Sequence, residues 1–321
     1  MRTLPRLLLA LYFLARPLLG LQEPAPVESV TLAFRPAPGS ALERFFESEH
    51  DLVSESMLTS RGDQLTSVPG QMKLKTRHEL RVIDHFRSLA DGRVDDLRRT
   101  FVEARRDSRL GLKNVLELES PTPLSQTSPL REGVSVVFQW APALERYGKH
   151  YDAREEEEAA LEGLAEDLDL RALLPSQPVA VGATWTVPAG ALRDLIAPGG
   201  TIPYDIPRKA DPRLLRTLAS GLGSSLEYAF DGARDGGLDL TLREIREVEG
   251  QPGRREAVLS LACDLEVSTD LADHVQSKVG PMEKASGMQI TLATIVLELQ
   301  GSGELIWDLD GGYARALTLD L

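Results

Sequence analysis

Apolar and polar side chains alternate through most of the chain. Between Met72 and Phe86, the residues Met72, Leu74, Thr76, His78, Leu80 and Val82 share one parity, with Lys73, Lys75, Arg77, Glu79 and Arg81 between them. A two-residue period sends successive side chains to opposite faces, so this stretch reads as a strand with one buried and one charged face. Val27–Phe34, Val94–Arg105, Leu112–Leu118 and Gly133–Trp140 are further expected strands. In the last third the expected strands are Ser224–Phe230, Leu238–Val248, Ala257–Thr269, Met288–Leu299, Glu304–Leu309 and Tyr313–Leu321. Ala41–Ser60 fits two periods: Leu42, Phe45, Phe46, Val53 and Met57 would line a helix, while Leu42, Phe46, His50, Leu52 and Leu58 would line one face of a long strand. The Ser- and Thr-rich half, Val53–Ser60, has poor helix propensity and favours the strand.

Turn residues punctuate these runs. Arg61–Gly62–Asp63, Asp91–Gly92, Gly301–Ser302–Gly303 and Asp310–Gly311–Gly312 read as turns between strands, and the Pro- and Ser-rich stretch Ser120–Pro129 reads as a loop. One region breaks the two-residue rhythm. From Asp152 to Leu174 an acidic start, Glu155–Glu158, precedes Leu161, Leu164, Leu168 and Leu174, a stripe near the 3.6-residue period, closed by Pro175. Shorter helices are expected at Ala189–Ile196 and Asp211–Ala219.

The expected fold class is therefore α+β: mainly antiparallel β, as a curved sheet, half-barrel or two facing sheets, with a helical insert near residues 153–219. The expected organisation is a signal peptide over 1–22, a β-rich half over 23–152, the insert over 153–219, and a β-hairpin half over 220–321 that continues the first as one domain.

The N-terminus changes the picture most. Arg2 and Arg6 precede an apolar run, Leu7–Leu14, and a spacer containing Pro and Ala, Glu23–Val27, in the order of a secretory signal. Leu18-x-Gly20 matches a cleavage site only in part. The run is too short to span roughly 30 Å of hydrocarbon as a helix, so no stable membrane span is expected after signal cleavage. The expected location is periplasmic or extracellular. Three stretches then carry a resemblance: Val82–Ile83–Asp84 with Gly92–Arg93 and Arg98–Arg99–Thr100–Phe101; Pro178–Trp185; and Gly301–Leu309. They are similar to a group of uncharacterised exported bacterial proteins known only by a domain of unknown function. The resemblance implies an exported, β-rich protein and brings no activity or catalytic residue with it.

Composition narrows function by exclusion. The 321 residues carry 49 acidic and 36 basic side chains, a net charge of −13, which disfavours nucleic acid and anionic surfaces as partners. The single cysteine, Cys263, allows neither an internal disulfide nor a cysteine metal cluster, and its apolar neighbours suit a buried small hydrophobe. No nucleophile elbow, phosphate loop or metal-binding histidine motif occurs, and His78 and His85, seven apart on a strand, fall on opposite faces. No metal or cofactor is expected. Phe138, Trp140, Trp185 and Trp307 sit among apolar residues at strand spacing, which suits core packing; should a ligand pocket exist, they are the first candidates to line it.

Two functions of different class follow. The first is an exported, non-catalytic envelope protein that binds an apolar small molecule or an envelope protein. The alternative is a hydrolase whose site is assembled from dispersed residues, with His50, His85 or His150 as base beside a carboxylate and a Ser or Thr.

Overall fold

The structure is a computed structural model and describes residues 28–61, 64–90, 92–113, 118–130, 132–153, 158–205, 237–270 and 294–321. Antiparallel β-structure dominates, in three sheets, none of them closed. The first large sheet is built on three long strands, β2 (Ala41–Arg61), β3 (Gln64–Ala90) and β4 (Arg93–Lys113). β5 (Leu118–Thr127) pairs with one end of β4, while β6 (Ser135–Ala141) pairs with the other and carries β7 (Arg146–Tyr151) at its outer edge. The second large sheet runs β13-β12-β11-β10-β9, from β13 (Tyr313–Asp320) through β12 (Thr294–Asp308), β11 (Arg255–Asp270) and β10 (Gly237–Glu247) to β9 (Thr184–Pro188). A two-residue pairing of β1 (Ser29–Val30) with β8 (Val179–Ala180) makes the third.

The two large sheets share one apolar core. Leu80, Val82 and Phe101 from the first meet Leu240, Leu259 and Trp307 from the second in a single buried cluster. Each fully buried side chain of this size contributes ~1.5–3 kcal/mol of transfer free energy. The alternation read along Met72–Phe86 is the cause: Leu80, Val82, Asp84 and Phe86 all face inward, and Arg77, Arg81 and His85 face out. β2 is a strand, paired with β3 from Ala41↔His85 to Arg61↔Gln64.

The helical insert is overturned. Between 158 and 205 the chain holds 3-10 turns at Glu158–Leu161, Arg171–Leu173 and Ala189–Ala191, the last running into a five-residue helix α1 (Leu192–Ile196). That last piece lies where the short helix Ala189–Ile196 was expected; Asp211–Ala219 and Ser224–Phe230 lie outside the described residues. Leu161, Leu164 and Leu168 of the expected stripe are buried and Leu174 partly so, but by an irregular path. Leu170 takes a left-handed φ of 59°, and the carbonyls of Ala165 and Glu166, which a helix would use internally, accept hydrogen bonds from Arg99 at 2.7 and 2.8 Å. A helix of this length draws its stability from tertiary packing, and here the packing rewards another backbone path.

Three local expectations also change. Ser120–Pro129 is largely strand β5 rather than loop: long β4 extends past its pairing with β6, and β5 covers the rest, with Arg109↔Pro123 in register. Proline is tolerated on such an outer strand, where its missing N–H need not serve the ladder. Leu112 and Leu118 pair with each other across two strands instead of sharing one. Gly301–Ser302–Gly303 is not a turn but the middle of β12, paired on both sides. A Cβ on Gly303 would lie 2.3 Å from the Thr318 carbonyl oxygen, so glycine serves close backbone approach there.

Candidate functional site

β2 and β13 are the free edges of their sheets, and the space between them is a groove of about 620 Å³. Nine consecutive residues, Glu43 to Asp51, form one wall, so the strand presents its edge as well as its inner face. β13 supplies the facing wall with Ala314–Leu317 and Leu319, and the floor is aliphatic: Leu168, Leu170, Leu195, Ile196 and Leu299. Period-2 alternation positions these side chains. On β2, Leu42, Arg44, Phe46, Ser48 and His50 are the half-buried set, and on β13 Leu317 and Leu319 are.

Most charges on the groove wall are committed to partners, Asp320 on β13 being the exception among the described contacts. Arg81 donates to Glu43 at 2.6 Å, Arg77 lies 3.0 Å from Glu47, Lys75 pairs with both Glu49 and Asp51, and Arg171 pairs with Asp169. The two arginines on the wall are committed as well, Arg44 to Asp84 at 3.8 Å and Arg315 to Glu256 at 2.5 Å. Burial pushes the Arg44 pKa down, against the pull of Asp84.

At one end of the groove the inner face of the first sheet turns polar. Ser48, His78 and Arg106 are register neighbours across β2, β3 and β4, and Gln126 follows on β5. Arg106 donates to the Gln126 side-chain amide oxygen Oε1 at 2.8 Å and lies 4.5 Å over the Tyr204 ring. Tyr204 meets His78 edge-on at 6.0 Å, and His78 meets His50 edge-on at 6.0 Å. Burial, then Arg106 and His50, push the His78 pKa down to about 3; burial lowers that of His50 too. Both imidazoles are therefore neutral near pH 7. Ser48 Oγ and His50 Nε2 are shielded from solvent and have no hydrogen-bond partner among the described residues.

The four aromatic candidates lie elsewhere; none lines the groove. Phe138 and Trp307 are fully buried core residues, and the Arg99 guanidinium sits 5.1 Å from the Phe138 ring centroid. Trp140 is half-buried, edge-on to Tyr147 at 5.1 Å with Arg93 4.2 Å above its ring. Trp185 donates its indole N–H to the Leu173 carbonyl at 2.9 Å. Sequence reading did not single out Phe46, Ser48, Leu317 and Leu319 as site residues. The available signal was the shared parity of Leu42, Phe46 and His50 on β2, but nothing local shows which distant strand faces them.

Among the described residues, none of His50, His78, His85 and His150 is hydrogen-bonded to a carboxylate or a hydroxyl; His274 lies outside them. Among the same residues no group of three His, Cys, Asp or Glu is gathered to hold a metal ion, and no helix is long and apolar enough to cross a membrane. Cys263 is buried, with its thiol pKa raised by burial and by Asp264. Comparison of the chain with protein-family models, with curated proteins and with solved structures gives no match.

Proposed function

We propose that this chain is an exported, non-catalytic binding protein of the bacterial envelope that holds an apolar small molecule between β2 and β13. The groove carries the reading. It has the size of a small-molecule site, its floor is aliphatic, and Glu43, Glu47, Glu49 and Asp51 on its wall are paired with Arg81, Arg77 and Lys75, so an apolar body is the occupant it suits. The N-terminal basic and apolar pattern, Arg2–Leu14, and the resemblance to exported bacterial proteins support the location. Solvent extraction of the purified protein followed by mass spectrometry tests the function, together with equilibrium dialysis against a series of C12 compounds. The expected result is a stoichiometric lipid-like species or saturable uptake that Phe46→Glu abolishes. An extract without such a species, and no uptake of any C12 compound, defeats the proposal.

A further inference from the structure

Resting on the groove reading, we propose that the groove is acid-sensitive: protonation of His50 lowers its affinity for the apolar ligand, so the protein loads near neutral pH and releases in acid. His50 lines the groove from the half-buried face of β2. Its Nε2 is shielded from solvent and has no hydrogen-bond partner among the described residues. An imidazolium carries an N–H on both ring nitrogens, so the charged form leaves one donor buried and unanswered. The position therefore suits the neutral ring, and burial lowers its pKa accordingly.

The ligand sharpens that preference. An alkyl body lying on Leu168, Leu170, Leu195, Ile196 and Leu299 displaces water from the space that His50 lines, and a charge beside hydrocarbon costs more than one beside water. The filled groove holds His50 neutral more firmly than the empty one. Binding and protonation then oppose each other by linkage. Affinity is full above the ordinary imidazole pKa of about 6.5 and falls on acidification, by at most about tenfold per pH unit for one proton.

The neighbours of His50 are the wrong ones to hold its charge. On the same face lie Ser48 from β2, Thr76 and His78 from β3, Arg106 and Ser108 from β4 and Gln126 from β5, with Tyr204 edge-on to His78; none is a carboxylate. His78 is edge-on to His50 at 6.0 Å, so a second proton would add repulsion. Arg44, on the same face of β2, is engaged by Asp84. Of the acids that line the groove, Glu43, Glu47, Glu49 and Asp51 take the outward parity of β2, and Asp169 pairs with Arg171. From the second sheet come Leu299, Leu317, Leu319, Arg315, which is engaged by Glu256, and Asp320, at the outward parity of Thr318.

The test is equilibrium dialysis of the full chain against 1-dodecanol, a C12 probe without a titratable group, at pH 7.5 and pH 4.5, with circular dichroism checking the fold at each. Affinity is expected to fall at least roughly threefold in acid. His50→Gln is expected to reduce that ratio to near one, whereas His78→Gln and Asp320→Asn keep it. Should His50→Gln fail to fold, ring NMR of the parent protein decides: the His50 imidazole is expected to titrate at lower pH with dodecanol bound than without. Equal affinity at the two pH values, a fall that persists in His50→Gln, a fall lost in His78→Gln or Asp320→Asn, or a His50 titration that dodecanol does not move overturns the acid switch while the groove reading stands. No uptake of dodecanol at pH 7.5 removes the groove reading itself.

Discussion

Arg99 grips Asp84 through two parallel hydrogen bonds, Nε to Oδ1 at 2.8 Å and Nη2 to Oδ2 at 3.0 Å, with both side chains 1% exposed. The same guanidinium also donates to the carbonyls of Ala165 and Glu166. One buried cation thus ties β3, β4 and the irregular 161–174 segment together, and that segment supplies Leu168 and Leu170 to the groove floor. A buried ion pair is costly unless its other donors find acceptors, and four of the five guanidinium N–H groups of Arg99 do so here.

Breaking this pair from one side leaves a charge uncompensated. Arg99→Met is expected to destabilise the fold by about 3–5 kcal/mol in urea titration. The double variant Arg99→Met/Asp84→Leu is expected to cost less than the sum of the two single changes, since the facing charges leave together and only the more distant Arg44 loses its carboxylate. Additive costs would show that the two groups do not act as a pair.

Acid is expected to weaken the fold through His78. Its folded pKa of about 3 lies below the ordinary 6.5, so over that interval the unfolded chain takes up a proton that the folded chain refuses. The contribution is fully present above pH 6.5 and is lost on acidification at up to ~1.4 kcal/mol per pH unit down to about pH 3. Glu166 and Asp167, whose pKa values burial raises, act in the opposite direction. Urea midpoints from pH 7 to pH 4 therefore need His78→Gln as the comparison: that variant is expected to show a shallower decline than the parent. Equal slopes would mean that His78 does not control the acid response.

A side chain at Gly303 has no room. Its Cβ would lie 2.3 Å from the Thr318 carbonyl oxygen, in the ladder between β12 and β13. Gly303→Ala is expected to lower stability by about 2–3 kcal/mol and to raise hydrogen exchange along β13. Because β13 forms a groove wall, uptake of C12 compounds falls with it. Unchanged exchange in β13 would show that the ladder accommodates the methyl.

Trp307 and Trp140 separate packing from binding. Trp307 is fully buried between the sheets, so Trp307→Ala is expected to cost about 3–5 kcal/mol. Trp140 is half-buried and outside the groove, so Trp140→Ala is expected to cost less and to leave C12 uptake unchanged. Loss of uptake in a folded Trp140→Ala protein would relocate the binding site.

The sequence by itself determined what depends on near neighbours. The parity of Leu80 and Val82 against Arg77 and Arg81 settled both the strand and its buried face, because side-chain direction in a strand is fixed by its pleat. The parity of Leu42, Phe46 and His50 likewise foretold the inner face of β2. Only the tertiary structure decided what depends on distant partners. Leu161, Leu164, Leu168 and Leu174 satisfy a helical period, yet Arg99, more than 60 residues earlier in the chain, claims the carbonyls a helix would need. Gly301 and Gly303 look like turn residues until β13 passes against them, and the groove exists because β2 and β13 come close without joining. Hydrophobic periodicity is written within a few residues, whereas the competition of distant groups for the same backbone atoms is resolved only when the whole chain has packed.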